Sequence, residues 1–325
     1  MNYKVLGTSD LKISSIAMGT MTWGQQNTLE EAFQQMDFAY YKGINIFDSA
    51  ELYPVPPTAE TQGETSRILG QWVKDRKIRD KVIIADKIVG RSGMKWFRKD
   101  GVETRLNQSQ IEFALDRTLK NLQMDYVDLY QLHWPDRPIN TFTGLEYEHT
   151  ETTDIIPIRE TLSVLDKLIK KGKIRYIGLS NETAWGTSQF LKIASENNLS
   201  KIVSIQNPYN LLNRSFEVGL SEISIREQVG LLGFRGVARR VRVTVRFVER
   251  HSWFAHVGSA FASAGRHGGG CWSRARGQRG GELGAPSRTR VASAIRVGSP
   301  AVPHAWRCLV VRLGGRVGRW RELRE

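Results

Sequence analysis

Tyr126-Val127-Asp128-Leu129-Tyr130-Gln131-Leu132-His133 is the stretch on which the reading of the fold turns. It is a short, mostly apolar run that ends at a histidine. Segments of helical periodicity flank it, Ser109 to Leu122 before and Ile158 to Lys170 after. A buried strand between two amphipathic helices is the repeating unit of a parallel sheet with crossover helices.

The same alternation extends in both directions. Towards the N-terminus, strands are predicted at Ile16 to Met18, Ile44 to Phe47 and Val82 to Ala85. Helices fall between them at Leu29 to Lys42, closed by Gly43 as a C-terminal cap, and at Glu64 to Val73. Ser109 is the candidate N-cap of the next helix. Beyond Lys171-Gly172-Lys173 come a strand at Ile174 to Leu179, a helix at Ser188 to Glu196, a strand at Ile202 to Ile205 and a helix within Phe216 to Gln228. A polar, hairpin-like segment near residues 2 to 14 precedes the series and is placed to cover a barrel's closed end.

The expected fold is α/β, an incomplete (β/α)8 TIM barrel of about six β/α units over residues 1–232. Gly230-Leu231-Leu232 begins a seventh strand, but the sequence that follows abandons the pattern. Composition changes at the same point. Residues 233–325 hold 19 Arg, no Lys and four acids, a net of +15, so of the chain's +14 the first 232 residues carry −1. Half of the 30 glycines and both cysteines, Cys271 and Cys308, lie in this Arg/Gly-rich tail. The barrel part has no cysteine, no run of signal-peptide or membrane-spanning length occurs, and a cytoplasmic protein is the default expectation.

In β/α barrels the active site lies where strands end and loops begin. Polar residues at those positions are Asp48, Lys87, His133, Ser180-Asn181 and Gln206, with Tyr53 five residues beyond Asp48. These side chains form a set able to protonate a carbonyl. An ammonium near a phenol favours phenolate, so Lys87 is expected to lower the pKa of Tyr53, and Asp48 to hold Lys87 by an ion pair. His133 is suited to hydrogen-bond a carbonyl or to share in proton transfer. Ser180-Asn181 also fits a helix cap, and Trp23 and Trp134 are candidates either for a substrate-pocket wall or for packing. No metal-ligand spacing is read.

The run Asp48-Ser49-Ala50-Glu51-Leu52-Tyr53, the strand end at Lys87 and Gln131-Leu132-His133-Trp134 resemble the aldo-keto reductase superfamily. Gly172 to Asn181 and Gln206-Asn207-Pro208-Tyr209-Asn210 resemble its fifth- and sixth-strand signatures. Within the superfamily, Tyr53-Pro54-Val55-Pro56-Pro57, Glu60-Thr61-Gln62-Gly63 and Asn210 to Glu217 are similar to the bacterial Tas-type reductases. The resemblance implies an NADP(H)-dependent reductase of aldehydes or ketones, with NADPH as hydride donor and a small-molecule carbonyl as substrate. By family role Tyr53 would be the general acid, Lys87 and Asp48 its tuning pair and His133 the carbonyl-orienting residue. Ser180, Asn181 and Gln206 would hold the nicotinamide.

The resemblance stops near residue 232, and the family's phosphate-binding elements after its last two strands are not legible in the tail. The preferred reading is translation out of frame downstream of codon 232, since GC-rich codons supply Arg, Gly, Ala, Val and Ser. It implies a truncated barrel with open sheet edges, poor solubility and weak NADPH binding. A disordered basic tail that binds nucleic acid is the competing reading, weakened by the lack of Lys and of repeated RGG units. A cofactor-sensing regulatory subunit is a third. Neither the physiological substrate nor the oligomeric state is written in the sequence.

Overall fold

The computed structural model of the chain describes residues 1–139 and 147–234 and, as backbone, the strand at 253–257. All of these belong to one compact unit, Met1–Arg266. A hairpin, β1 (Tyr3–Val5) and β2 (Lys12–Ser14), comes first. Then follow β3 (Ile16–Gly19), α1 (Leu29–Tyr41), β4 (Ile46–Asp48), α2 (Glu64–Arg76), β5 (Ile83–Ile88), α3 (Gln108–Leu122) and β6 (Val127–Leu132). The series continues with α4 (Ile158–Lys170), β7 (Ile174–Ser180), α5 (Ala184–Glu196), β8 (Ile202–Pro208), α6 (Leu220–Arg226), β9 (Gly230–Phe234) and β10 (Trp253–Val257).

Strands β3 to β9 lie side by side in chain order and pair in parallel, each joined to the next by a crossover that contains a helix. β9 is the seventh strand whose start the sequence suggested, and it runs on to Phe234, with Pro208 opposite Phe234. β10 then pairs with β9 on one side and β3 on the other, closing the ring. The sheet edges expected to stay open are therefore paired. The available signal is a short run, Trp253-Phe254-Ala255-His256-Val257, apolar but for its histidine, inside Arg/Gly-rich sequence. The barrel remains incomplete in its helices, since among the described residues none follows β9 or β10. The expectations of disorder, frame change or nucleic-acid binding in the rest of residues 233–325 lie outside the described residues. No described helix is long and apolar enough to cross a membrane.

Local chemistry sets the helix ends. Thr28 caps α1 by accepting from the Glu31 amide, and the Glu31 carboxylate accepts from the Thr28 amide, a complete capping box. Gly43, at φ 84°, turns the chain out of that helix as expected. Two cap expectations are corrected. Asn107, not Ser109, caps α3: its Oδ1 accepts from the Gln110 amide at 3.0 Å, while the Ser109 hydroxyl donates to the same oxygen. α5 begins four residues earlier than expected, because Thr183 accepts from the Gly186 amide at 3.1 Å. Ser180-Asn181 thus precede that cap without serving it.

Alternation along the strands divides the side chains into two layers. Phe47, Ile84, Tyr130, Leu132, Ile177, Ile205 and Leu231 face the helices in the main core, against Met36, Leu69, Trp72, Leu115, Leu165 and Phe190. Ala17, Ile46, Ala85, Leu129, Val203 and Leu232 form a second cluster with Leu6, Leu11 and Ile13 of the hairpin segment. The hairpin thereby plugs the N-terminal end of the barrel, and the C-terminal end is left to polar groups.

α2 approaches α3 closely at Gly70, where an added Cβ would stand 2.2 Å from the Leu122 carbonyl oxygen. Backbone cannot yield there as a flexible side chain would. Gly70→Ala is expected to destabilise the barrel by about 1–3 kcal/mol, the usual cost of overpacking. Urea denaturation of the two proteins measures it, and an unchanged midpoint would contradict the packing described.

Candidate active site at the C-terminal end of the barrel

Two residues beyond Ile46, Ala85 and Leu129 of the inner layer stand Asp48, Lys87 and Gln131, so the strand period brings all three to the barrel interior. Lys87 has no exposed surface. Its Nζ donates to Asp48 Oδ2 at 2.5 Å and to the Ser49 carbonyl at 2.8 Å. Gln131 Nε2 donates to the other carboxylate oxygen, Asp48 Oδ1, at 3.1 Å. Burial works to lower the pKa of Lys87, but the Asp48 carboxylate, with Tyr53 and Asp86, more than offsets it and the net shift is upward. Lys87 is charged at any physiological pH.

The sheet ladder continues past the strand ends and aims the rim residues. The Ser49 amide donates to the Ala85 carbonyl, Glu51 to Lys87 and His133 to Ile88. The Lys87 ammonium sits 5.0 Å from the centre of the Tyr53 ring. Tyr53 and His133 meet edge to face at 5.9 Å, and the His133 and Trp134 rings are 5.0 Å apart. Each of these three aromatics keeps only 7–8 % of its surface exposed, at the barrel mouth.

The electrostatics of Tyr53 run opposite to the expectation from sequence. Burial raises its pKa above 10, and Lys87 lowers it by less, because the Asp48 carboxylate acts against the ammonium. The phenol therefore holds its proton through neutral pH. Burial pushes His133 well below its ordinary value, and Lys87 pushes it further, so the imidazole is neutral there. Its Nδ1 has no hydrogen-bond partner among the described residues.

The ends of β7 and β8 are tied together: Ser180 Oγ donates to the Gln206 carbonyl at 2.9 Å, as does the Asn181 amide at 3.0 Å. Asn181 Nδ2 donates to the His133 carbonyl at 2.9 Å, which joins this pair of strands to the histidine. Asn181 and Gln206 each keep a buried atom without a partner among the described residues, the acceptor Asn181 Oδ1 and the donor Gln206 Nε2. One donor and one acceptor at adjoining strand ends are the complement of a carboxamide.

The structure gathers Asp48, Tyr53, Lys87 and His133 at one end of the barrel, with Ser180, Asn181 and Gln206 beside them. It does not bring Trp23 to the mouth. That residue is fully buried in the main core, its indole donating to Gln35 Oε1 of α1 at 2.9 Å and its carbonyl accepting from Thr65 of α2. Packing against α1 and α2 overturns its candidacy for the pocket wall, whereas Trp134 stays at the rim with Val89 and Phe97. Gln131 carried no role in the sequence reading. Its position two residues before His133 on one strand face was the available signal.

A parallel β/α barrel with a buried lysine-carboxylate pair under a tyrosine and a histidine, at the end where such barrels keep their reactive groups, defines an enzyme class. The chain belongs to the aldo/keto reductase family, whose model matches residues 15–239. Protein tas of Escherichia coli (strain K12) is 47% identical over 236 residues, 72% of this chain and 67% of that protein. Aldo-keto reductase YhdN of Bacillus subtilis (strain 168) is 29% identical over 258 residues, 78% of this chain and 67% of its own length. A solved structure of a thermostable aldo-keto reductase, crystallised with the inhibitor epalrestat, matches with a TM-score of 0.56 at 27% identity, covering 75% of this chain and 76% of that one. Family and relatives together support an oxidoreductase function.

Behind the site, on the helix-facing side of β5, Asp86 accepts from Thr118 Oγ1 at 2.8 Å, and its Oδ1 has no hydrogen-bond partner among the described residues. Burial raises its pKa from 3.8 to about 7. A carboxyl whose folded pKa exceeds its unfolded one favours the fold below the unfolded value and loses that contribution as pH rises through the folded value, here from about 4 to about 7. Asp86→Asn keeps the acceptor for Thr118 and cannot ionise. It is expected to melt higher than the parent at pH 8 and to converge with it towards pH 4; a variant that melts lower at pH 8 would refute the assignment.

Proposed function

We propose that this site reduces the carbonyl of an aldehyde or ketone to an alcohol, with NADPH as hydride donor and Tyr53 as proton donor. The observation that carries the reading is the fully buried Lys87, paired with Asp48 and lying 5.0 Å from the Tyr53 ring. NADPH, when bound, supplies the hydride that reaches the carbonyl carbon. Tyr53 gives its phenolic proton to the carbonyl oxygen, and the phenolate left behind is stabilised by the adjacent ammonium. Asp48 and Gln131 keep that ammonium in place. His133, neutral in this setting, hydrogen-bonds the carbonyl oxygen and orients it, and Trp134 forms part of the apolar wall.

The unpaired Asn181 Oδ1 and Gln206 Nε2 fit the amide nitrogen and oxygen of a nicotinamide carboxamide, with Ser180 fixing the strand ends that present them. Leaving buried polar atoms unmatched costs about 1–3 kcal/mol each, so a ligand that pairs both gains selectivity. In the chain as written we expect NADPH to be held weakly and turnover to be impaired. The family match ends at residue 239, and the tail sequence offers no strand-loop-helix pattern for the phosphates. The nucleotide sequence across codon 232 tests the frame change directly.

Tyr53→Phe is expected to cut carbonyl reduction by about 10²–10⁴-fold, the usual share of a positioned proton donor, while NADPH fluorescence titrations stay unchanged. If the parent turns over too slowly to measure, the comparison is made in a chain with the downstream frame restored. Undiminished turnover removes Tyr53 from its role. Gln206→Leu removes the donor without removing bulk and is expected to weaken NADPH binding by about tenfold. Equal affinity in the same titration would dissociate Gln206 from the cofactor.

A further inference from the structure

Glu51 lies in the short turn between Asp48 and Tyr53, and its carboxylate is almost wholly buried. Oε1 accepts from Arg98 Nη1 and from Arg117 Nη2, both at 2.6 Å, and Oε2 accepts from the Val89 amide at 3.1 Å. The Glu51 amide in turn donates to the Lys87 carbonyl at 2.8 Å. One residue of the turn is thus fastened twice to the end of β5, once through its main chain and once through its side chain. Arg98 is itself held by Gln110 Oε1 at 2.7 Å, and Arg117 by Gln62 Oε1 at 3.1 Å, while Gln62 Nε2 returns to the Glu51 carbonyl. Tyr53 hangs from this assembly, its amide donating to Ala50 and its carbonyl accepting from Gly63.

A buried carboxylate with two guanidinium groups is a poor device for stability alone, since apolar replacements of similar volume often serve as well. What it supplies is direction: each planar guanidinium divides its donors between Glu51 and a glutamine, Gln110 for Arg98 and Gln62 for Arg117, and so fixes where the carboxylate sits. Both attachments fall at the end of the strand that carries Lys87, one on Lys87 itself and one on Val89 just beyond it. We propose that Glu51, clamped by Arg98 and Arg117, is a positioning residue that locks the turn onto β5 and sets Tyr53 against Lys87. The inference rests on the reading of Tyr53 as proton donor and deepens it. A displacement of an ångström between donor and acceptor is enough to lower a rate by about two orders of magnitude, which is why such a lock has a use.

The test is fluorine NMR of the full 325-residue chain labelled with 3-fluorotyrosine, Tyr53 being assigned by its loss in Tyr53→Phe. Arg117→Gln leaves the neutral Arg98–Glu51 pair buried, and Arg117 is a quarter exposed, so the fold is retained even if Glu51→Gln unfolds. Tyr130, within electrostatic reach of Glu51, Arg98 and Arg117, is the local control and responds to the lost charge whatever the clamp does. The expected result is a Tyr53 resonance displaced by more than its linewidth, with a moved titration midpoint, in Arg117→Gln, and a partial return in Arg117→Lys. A Tyr53 signal that stays put while Tyr130 moves or melting falls overturns the proposal and leaves a purely structural clamp. Neither readout needs turnover or cofactor, so failure here is separable from retained activity in Tyr53→Phe, which would instead defeat the functional reading.

Discussion

An ammonium with no exposed surface must be neutralised from within, and in this barrel Lys87 is neutralised by Asp48. Removing an isolated ion from water costs several kcal/mol, more than a single hydrogen bond returns, so either partner alone would be untenable. Together they impose a geometry. The carboxylate has one oxygen on Lys87 and the other on Gln131, which ties β4, β5 and β6 through one group at the same height in the barrel. Gly178 on β7 completes that layer by lacking a side chain: an added Cβ would stand 2.5 Å from Ser204 Oγ and 2.9 Å from Gln131 Cγ.

The pair can exist because the barrel is filled differently at its two ends. Leu6, Leu11 and Ile13 close the N-terminal end with the first inward residues of the strands, keeping water from the charged layer above. One strand period later the inward positions turn polar. The helices supply the outer wall, with α4 burying Leu162, Val164, Leu165 and Leu168. Apolar burial of this kind, about 1.5–3 kcal/mol for each large side chain, is what stabilises the fold against the cost of the polar layer.

Much of this was legible because strand ends mark themselves in sequence. Asp48, Lys87 and His133 each follow an apolar run, and α4 was found with its observed limits, since its apolar spacing begins and ends sharply. Other features depend on contacts that no local pattern carries. Asn107 outcompetes Ser109 for the α3 cap by one hydrogen bond, and Trp23 is drawn into the core by Gln35 and Thr65, which lie 12 and 42 residues away. β9 is legible only at its start and β10 not at all, because pairing with a neighbour on either side can hold a strand whose surrounding sequence is weakly patterned. The raised pKa of Tyr53 is hidden from the sequence for a similar reason. A list of charges gives the sign of Lys87 but not the weight of burial, nor the degree to which Asp48 cancels it.

That cancellation bears on how proton transfer would run in the functional reading. With Tyr53 protonated and His133 neutral, the charges left in the inner layer are those of Lys87 and Asp48, and they face each other. Before reaction, the ammonium is satisfied by the carboxylate and pulls only moderately on the phenol, which keeps its proton. As that proton leaves, a negative oxygen develops at the end of the Tyr53 ring, near the ammonium and away from bulk water. Lys87 then sits between two anions, and its third donor, not used by Asp48 or the Ser49 carbonyl, becomes available to the phenolate. An interaction that strengthens as charge develops lowers the barrier rather than merely stabilising the resting site. The buried pair that organises the barrel is, on this reading, also what lets a high-pKa phenol act as an acid.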